Sequence, residues 1–120
     1  MSSIIDKVIG SIDDKRRWRR YKDRVRTLPP GHRTAAEALD RYLMHFAGIS
    51  DGGVLVQMLE DLADLFEQGA ADGTTVREIV GEDPVEFAET FAANYAEAQW
   101  ITKERRRLAE SIEQAEQQES

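Results

Sequence analysis

The sequence predicts an all-α fold: a small helical bundle of about four main helices plus one short helix, with a long C-terminal helix. Three observations predict it. Apolar residues recur at helical spacing almost everywhere, and no strand-like alternation stands out. Two Thr-x-x-Glu capping boxes and one Asp-Pro-x-Glu start mark helix N-termini. Glycine and proline gather between the periodic stretches, at 29–31, 48–53 and 69–73. At 120 residues the chain reads as a single helical domain, 1–120. A chain of this size buries roughly two-thirds of its unfolded surface.

The first segment, 1–28, is basic and aromatic. Ile5, Val8, Ile9 and Ile12 share one face, and a new phase begins with Trp18, Tyr21, Val25 and Leu28. The phase change at 10–14 predicts a break, with Ser11 or Asp13 as the new N-cap. Pro29, Pro30 and Gly31 end this helix, because Pro29 also restricts Leu28. Thr34 and Glu37 form a capping box for the next helix, whose expected inward face is Ala35, Ala38, Leu39, Tyr42, Leu43 and Phe46. After a glycine-rich connection, a third helix from about Val54 turns Leu55, Met58, Leu59, Leu62, Leu65 and Phe66 inward. Its other face carries Glu60, Asp61, Asp64 and Glu67.

Residues 69–74 read as a loop. Thr75 and Glu78 then cap a short helix that stops at Gly81. Asp83, Pro84 and Glu86 supply the N-cap, N1 and N3 residues of the last helix. No glycine or proline follows, so that helix is expected from Val85 to about Ala115, roughly 45 Å at 1.5 Å per residue. Its expected seam is Phe87, Phe91, Asn94, Ala98, Ile101, Arg105, Leu108 and Ile112, spaced alternately four and three. The Gln- and Glu-rich stretch 114–120 reads as a frayed tail.

Charge is unevenly distributed. Residues 15–26 hold eight basic residues and one acid, a net of +7 in a chain whose total is −7. A smaller basic cluster follows Trp100: Lys103, Arg105, Arg106 and Arg107. The basic block supports two kinds of reading. Trp18, Tyr21, Val25 and Leu28 form one core stripe, the charges cover the outer face, and the acids of the third helix approach them. Alternatively Arg16, Arg19, Arg20 and Arg24 meet the phosphates of a nucleic acid or an anionic membrane surface. The first is preferred, because the stripe has clean helical spacing and the acidic remainder repels a polyanion.

Several classes are disfavoured. Cysteine is absent, which excludes a disulfide framework, a thiolate zinc site and a cysteine nucleophile, and fits a cytoplasmic setting. The apolar stretch 4–12 contains Asp6 and Lys7; it is too short and too charged to span a membrane and lacks a signal-peptide layout, although peripheral contact stays open. The two histidines, His32 and His45, lack the Glu-x-x-His spacing of di-metal bundles, and no phosphate-cradling loop or nucleophile elbow occurs. No catalytic, metal or cofactor residue is expected, and the protein is expected not to be an enzyme.

The last helix is the leading interaction element. Asn94 and Arg105 interrupt an otherwise apolar seam, and polar seam residues set register in helix pairs. Past Ile101, Leu108 and Ile112 lie beyond the expected support of the bundle. A homodimer or larger species is expected, held partly by this helix.

The stretch Leu65-Phe66-Glu67-Gln68-Gly69-Ala70-Ala71-Asp72-Gly73, followed by Val76, Glu78, Ile79, Gly81, Asp83 and Phe87, resembles the hallmark of a bacterial family of unknown function, number ten forty-eight. Lys15, Trp18, the Leu28-Pro29 turn and the long helix after Phe87 are similar to the same family. The resemblance implies a small all-helical fold. It also implies a regulatory or membrane-stress setting, since members are often encoded beside PadR-type transcriptional repressors. It transfers no catalytic residue. Phe66 is expected to pack, and Gly69 and Gly73 to permit the turn. The expected function is that of a non-enzymatic, self-associating interaction protein in the cytoplasm, accessory to such a repressor. The alternative is nucleic-acid or anionic-membrane binding through 15–26.

Overall fold

The computed structural model describes residues 11–46 and 48–119. Among them are five helices and no strand: α1 (Ile12–Arg26), α2 (Pro30–Phe46), α3 (Gly52–Ala71), α4 (Val76–Val80) and α5 (Pro84–Glu119). The all-α expectation holds, with four main helices, the last of them long, and one short one. Ile5, Val8 and Ile9 lie outside the described residues.

α3 is the hub. It touches each of the other four helices. Its sequence is apolar on more than one side, so Leu55, Val56, Met58, Leu59, Leu62, Ala63 and Phe66 are all buried. Each large apolar side chain buried there stabilises the fold by about 1.5–3 kcal/mol. Leu65 is the exception to the expected face, at 37% exposure.

Ser11 caps α1 by accepting from the Asp14 N–H at 3.0 Å, as the phase break predicts. Tyr21, Val25 and Leu28 are buried, whereas Trp18 is only half-buried, with the Lys22 ammonium 5.8 Å from its ring centre. α2 corrects the expected capping box. It begins at Pro30, four residues before Thr34, because proline at N1 is already set at the helical φ and its missing N–H is no loss there. His32 therefore sits in the first turn of α2 and not in a loop. The inward face of α2 is also rotated: Ala36, Leu39, Asp40 and Leu43 are buried, while Ala38 and Phe46 are exposed. Contact with both α1 and α3 sets that face, and Phe46 stacks on Tyr42 at the surface instead.

α4 has the expected capping box, with the Thr75 hydroxyl and the Glu78 carboxylate each accepting from the other's backbone N–H. Hydrogen bonding from the Thr75 backbone N–H, and next from its side chain, holds the Glu78 carboxyl below its usual range. Gly69 lies inside α3 and Gly73 makes the turn with φ +73°. At Gly69 the requirement is close approach: an added Cβ would stand 2.5 Å from Ile79 Cδ1. Asp83 caps α5, its Oδ1 accepting from the Val85 and Glu86 N–H groups at 3.1 Å each. α5 extends through Glu119, so the expected frayed tail is helical as far as the structure describes it. At 36 residues α5 is about 54 Å long, which accounts for most of the 63 Å long axis of the molecule.

Candidate functional site

Two surfaces carry the residues singled out in the sequence, the basic face of α1 and the length of α5. α1 runs parallel to α3, with contacts offset by 43 residues. Arg17 donates from Nε and Nη2 to the two carboxylate oxygens of Glu60, at 3.1 and 2.5 Å, and from Nη2 to Gln57 Oε1 at 3.2 Å. One heptad later, Arg24 donates to both oxygens of Glu67, at 3.0 and 2.6 Å, and to Asp64. Seven residues is close to two helical turns, so both arginines fall on the side of α1 that meets α3. The forked guanidinium suits a bidentate carboxylate better than an ammonium would. Hydrogen bonding to Glu60 raises the Arg17 pKa further, and Glu67 does the same for Arg24, against the opposing effect of burial.

The expected approach of the basic block and the acidic face of α3 therefore occurs within one chain. Arg24, a candidate for partner contact, is already engaged. Arg16, Arg19 and Arg20 are different. They are exposed on the outer face of α1, and no ion pair among the described residues engages them. Below the surface, the Tyr21 hydroxyl donates to Asp40 Oδ2 at 2.8 Å, with Lys22 Nζ 3.6 Å from the same oxygen. Burial, reinforced by Asp40, pushes the Tyr21 phenol well up.

The proximal part of α5 is tied to the bundle by alanines and by three polar anchors. Ala88 and Ala92 are buried and let the helix lie close to its neighbours. Tyr42 donates to Glu89 Oε2 at 2.8 Å. The Tyr95 hydroxyl donates to Asp61 Oδ2 at 2.6 Å, and burial followed by that bond raises its pKa. Gln99 is buried, and its Oε1 accepts the backbone N–H groups of Ser50 and Asp51 at 2.5 and 2.8 Å. This face of Ala88, Ala92, Tyr95 and Gln99 replaces the seam expected from the sequence. Asn94 and Ala98 point outward, and Asn94 borders a shallow hollow with Phe87 and Phe91. Small residues win the inner position because the backbone of α5 approaches α2 and α3 there.

Ile101 is the last half-buried residue. Every residue from Thr102 to Glu119 is exposed, including Arg105, Leu108 at 64% and Ile112 at 54%. The candidate seam residues Ile101, Arg105, Leu108 and Ile112 thus lie together along one projecting helix, apart from Arg16, Arg19 and Arg20.

A third feature has no precursor in the sequence. An apolar groove of about 570 Å³ opens between α2, α4 and α5, lined mainly by Ala35, Tyr42, Val76, Val80 and Val85. These residues come from three helices, so no local pattern reveals it. Gln99 and Asp40 are also missed, and Asp61, expected to face the basic block, bonds Tyr95 instead, since each acts through a distant partner. Tyr21 and Tyr95, aromatic yet hydroxyl-bearing, were the available signal, because a buried phenol requires an acceptor.

Both histidines are used locally. His32 Nε2 lies 2.8 Å from the Thr74 carbonyl, with its ring edge-on to Phe66, and His45 Nδ1 lies 2.8 Å from the Arg41 carbonyl. Among the described residues no group of three or more His, Asp or Glu side chains is arranged to hold a metal ion, and no helix is long and apolar enough to cross a membrane.

Residues 9–113 match the family described as "Protein of unknown function (DUF1048)". The match covers most of the chain, which therefore belongs to that family. No curated protein matches it.

Proposed function

We propose that this member of the DUF1048 family is a non-enzymatic cytoplasmic interaction protein that self-associates through the distal part of α5. One observation carries the reading. Eighteen consecutive helical residues, 102–119, are exposed, yet they keep Leu108 and Ile112 on a common side with Ile101. An isolated helix of that length is marginal in water, and helices in proteins owe most of their stability to an amphipathic face packed on something. A helix-in-groove or helix-pair contact would provide that packing. A PadR-type repressor, the partner class implied by the family resemblance, is the protein to test against the same surface once the homotypic contact is known.

Light scattering tests the reading. The intact chain should give a mass near twice 13.6 kDa at high micromolar concentration. A chain truncated after Ile101 should give the single mass and keep the helical signal of its remaining residues. A monomeric intact chain would end the proposal.

A second reading rests on Arg16, Arg19 and Arg20, which stay exposed at positions i, i+3 and i+4 of α1. They form a compact cationic face suited to phosphate. Titration with labelled DNA and RNA, and sedimentation with anionic vesicles, would test it. Submicromolar affinity lost on Arg19→Glu and Arg20→Glu would promote it over self-association.

A further inference from the structure

We infer that two copies of the chain pair antiparallel along distal α5, about a twofold axis at the level of Glu110. The inference rests on the self-association reading and specifies its geometry. Distal α5 is segregated by charge. Residues 103–107 contain Lys103, Arg105, Arg106 and Arg107 against Glu104, a net of +3. Residues 108–119 contain Glu110, Glu113, Glu116 and Glu119 and no base, a net of −4. Parallel pairing would set like charge on like charge along the whole contact. Antiparallel pairing about position 110 sets each basic stretch opposite the other copy's acidic one, twice by symmetry.

The apolar stripe selects the same register. Ile101, Arg105, Leu108, Ile112, Ala115 and Glu119 succeed one another at spacings of four and three, the pattern of a helix-pair seam. With the axis at 110, Leu108 meets Ile112 of the partner subunit, and Ile112 meets Leu108 of the partner subunit. Arg105 meets Ala115 of the partner subunit, a small residue beside which Glu116 of the partner subunit can accept from the guanidinium. Parallel in-register pairing would instead bring the two copies of Arg105 together inside the seam. The seam also faces the right way. Leu108 lies nine residues beyond the buried Gln99, about two and a half turns, so it points away from the side on which the chain's own bundle packs.

The helix dipole supplies an independent reason. The last turn of α5 contains no basic residue, and acids near a helix C-terminus are unfavourable. In the antiparallel register Arg105 of the partner subunit stands beside Glu116, the first acid of that turn.

The absence of cysteine makes cross-linking a clean test. Chains carrying Arg105→Cys and Ala115→Cys, distinguished by a mass tag, are mixed and oxidised. The expected product is the mixed disulfide, because positions 105 in the two copies stand about 15 Å apart along the axis. A second test reverses charge. Arg105→Glu with Arg106→Glu should weaken association by at least about tenfold, or about 1.4 kcal/mol. Adding Glu113→Arg and Glu116→Arg to the same chain should restore most of it. A dimer that yields 105–105 and 115–115 disulfides keeps self-association and overturns the antiparallel register. A monomeric wild-type chain, or a dimer untouched by truncation after Ile101, overturns both.

Discussion

The Tyr21 hydroxyl donates a 2.8 Å hydrogen bond to Asp40, and the two side chains join α1 to α2 inside the core. Tyr21 has no exposed surface, and Asp40 is 8% exposed. A carboxylate so placed needs its donor. Tyr21→Phe keeps the ring packing and removes only the hydroxyl. It should lower stability by about 1–3 kcal/mol, the cost of leaving a buried acceptor short of a partner. Urea denaturation measures this, and a loss below about 0.5 kcal/mol would show that Lys22 or water satisfies Asp40 unaided.

The same phenol makes the fold sensitive to alkali. Tyr21 ionises well above its ordinary value in the folded state, chiefly through burial. In the unfolded chain it ionises near pH 10. Below that pH its contribution is fully present. Above it the unfolded state holds fewer protons than the native state, so stability declines as pH rises toward the folded value. The slope from Tyr21 is at most about 1.4 kcal/mol per pH unit. Tyr95, whose pKa is also raised, adds less because solvent reaches it. Denaturation midpoints from pH 9 to 11 should fall, and Tyr21→Phe should flatten the fall. An identical decline in the variant would assign the effect elsewhere.

The arginines of α1 should divide into two groups. Arg17→Ala and Arg24→Ala break forked contacts with Glu60 and Glu67, and each should cost about 0.5–1 kcal/mol, with the loss shrinking in high salt. Arg16→Ala, Arg19→Ala and Arg20→Ala should each change stability by less than about 0.5 kcal/mol. Thermal melts at two salt concentrations separate the groups. Equal effects across all five would contradict the pairing seen between α1 and α3.

Gly69 and Ile79 should be coupled. Gly69→Ala gains helix propensity of up to about 1 kcal/mol but drives its Cβ against the Ile79 side chain, and overpacking costs about 1–3 kcal/mol. The net effect should be a modest loss. Ile79→Val removes the Cδ1 atom in the way. In the wild-type background it should cost about 0.5–1.5 kcal/mol, and in the Gly69→Ala background distinctly less. A double-mutant cycle that sums without coupling would mean that the helices part to admit the new methyl.

Local chemistry made most of the fold legible in the sequence. Ser11, Asp83 and the Thr75–Glu78 pair cap their helices where short-range hydrogen bonding predicts, because a cap involves only three or four neighbouring residues. Helical periodicity likewise identified Tyr21, Val25 and Leu28 as one buried stripe. The tertiary structure decided which face of each helix turns inward when several are equally apolar. On α2, Asp40 entered the core in place of Phe46 because Tyr21 stood opposite to donate to it. On α5, the seam beginning at Phe87 gave way to Ala88, Ala92, Tyr95 and Gln99, since close backbone approach favours small residues and the Ser50 and Asp51 N–H groups required an acceptor. Periodicity records where apolar residues recur along one helix. It carries no information on what stands across the interface, and that opposing surface settles the burial of a polar side chain.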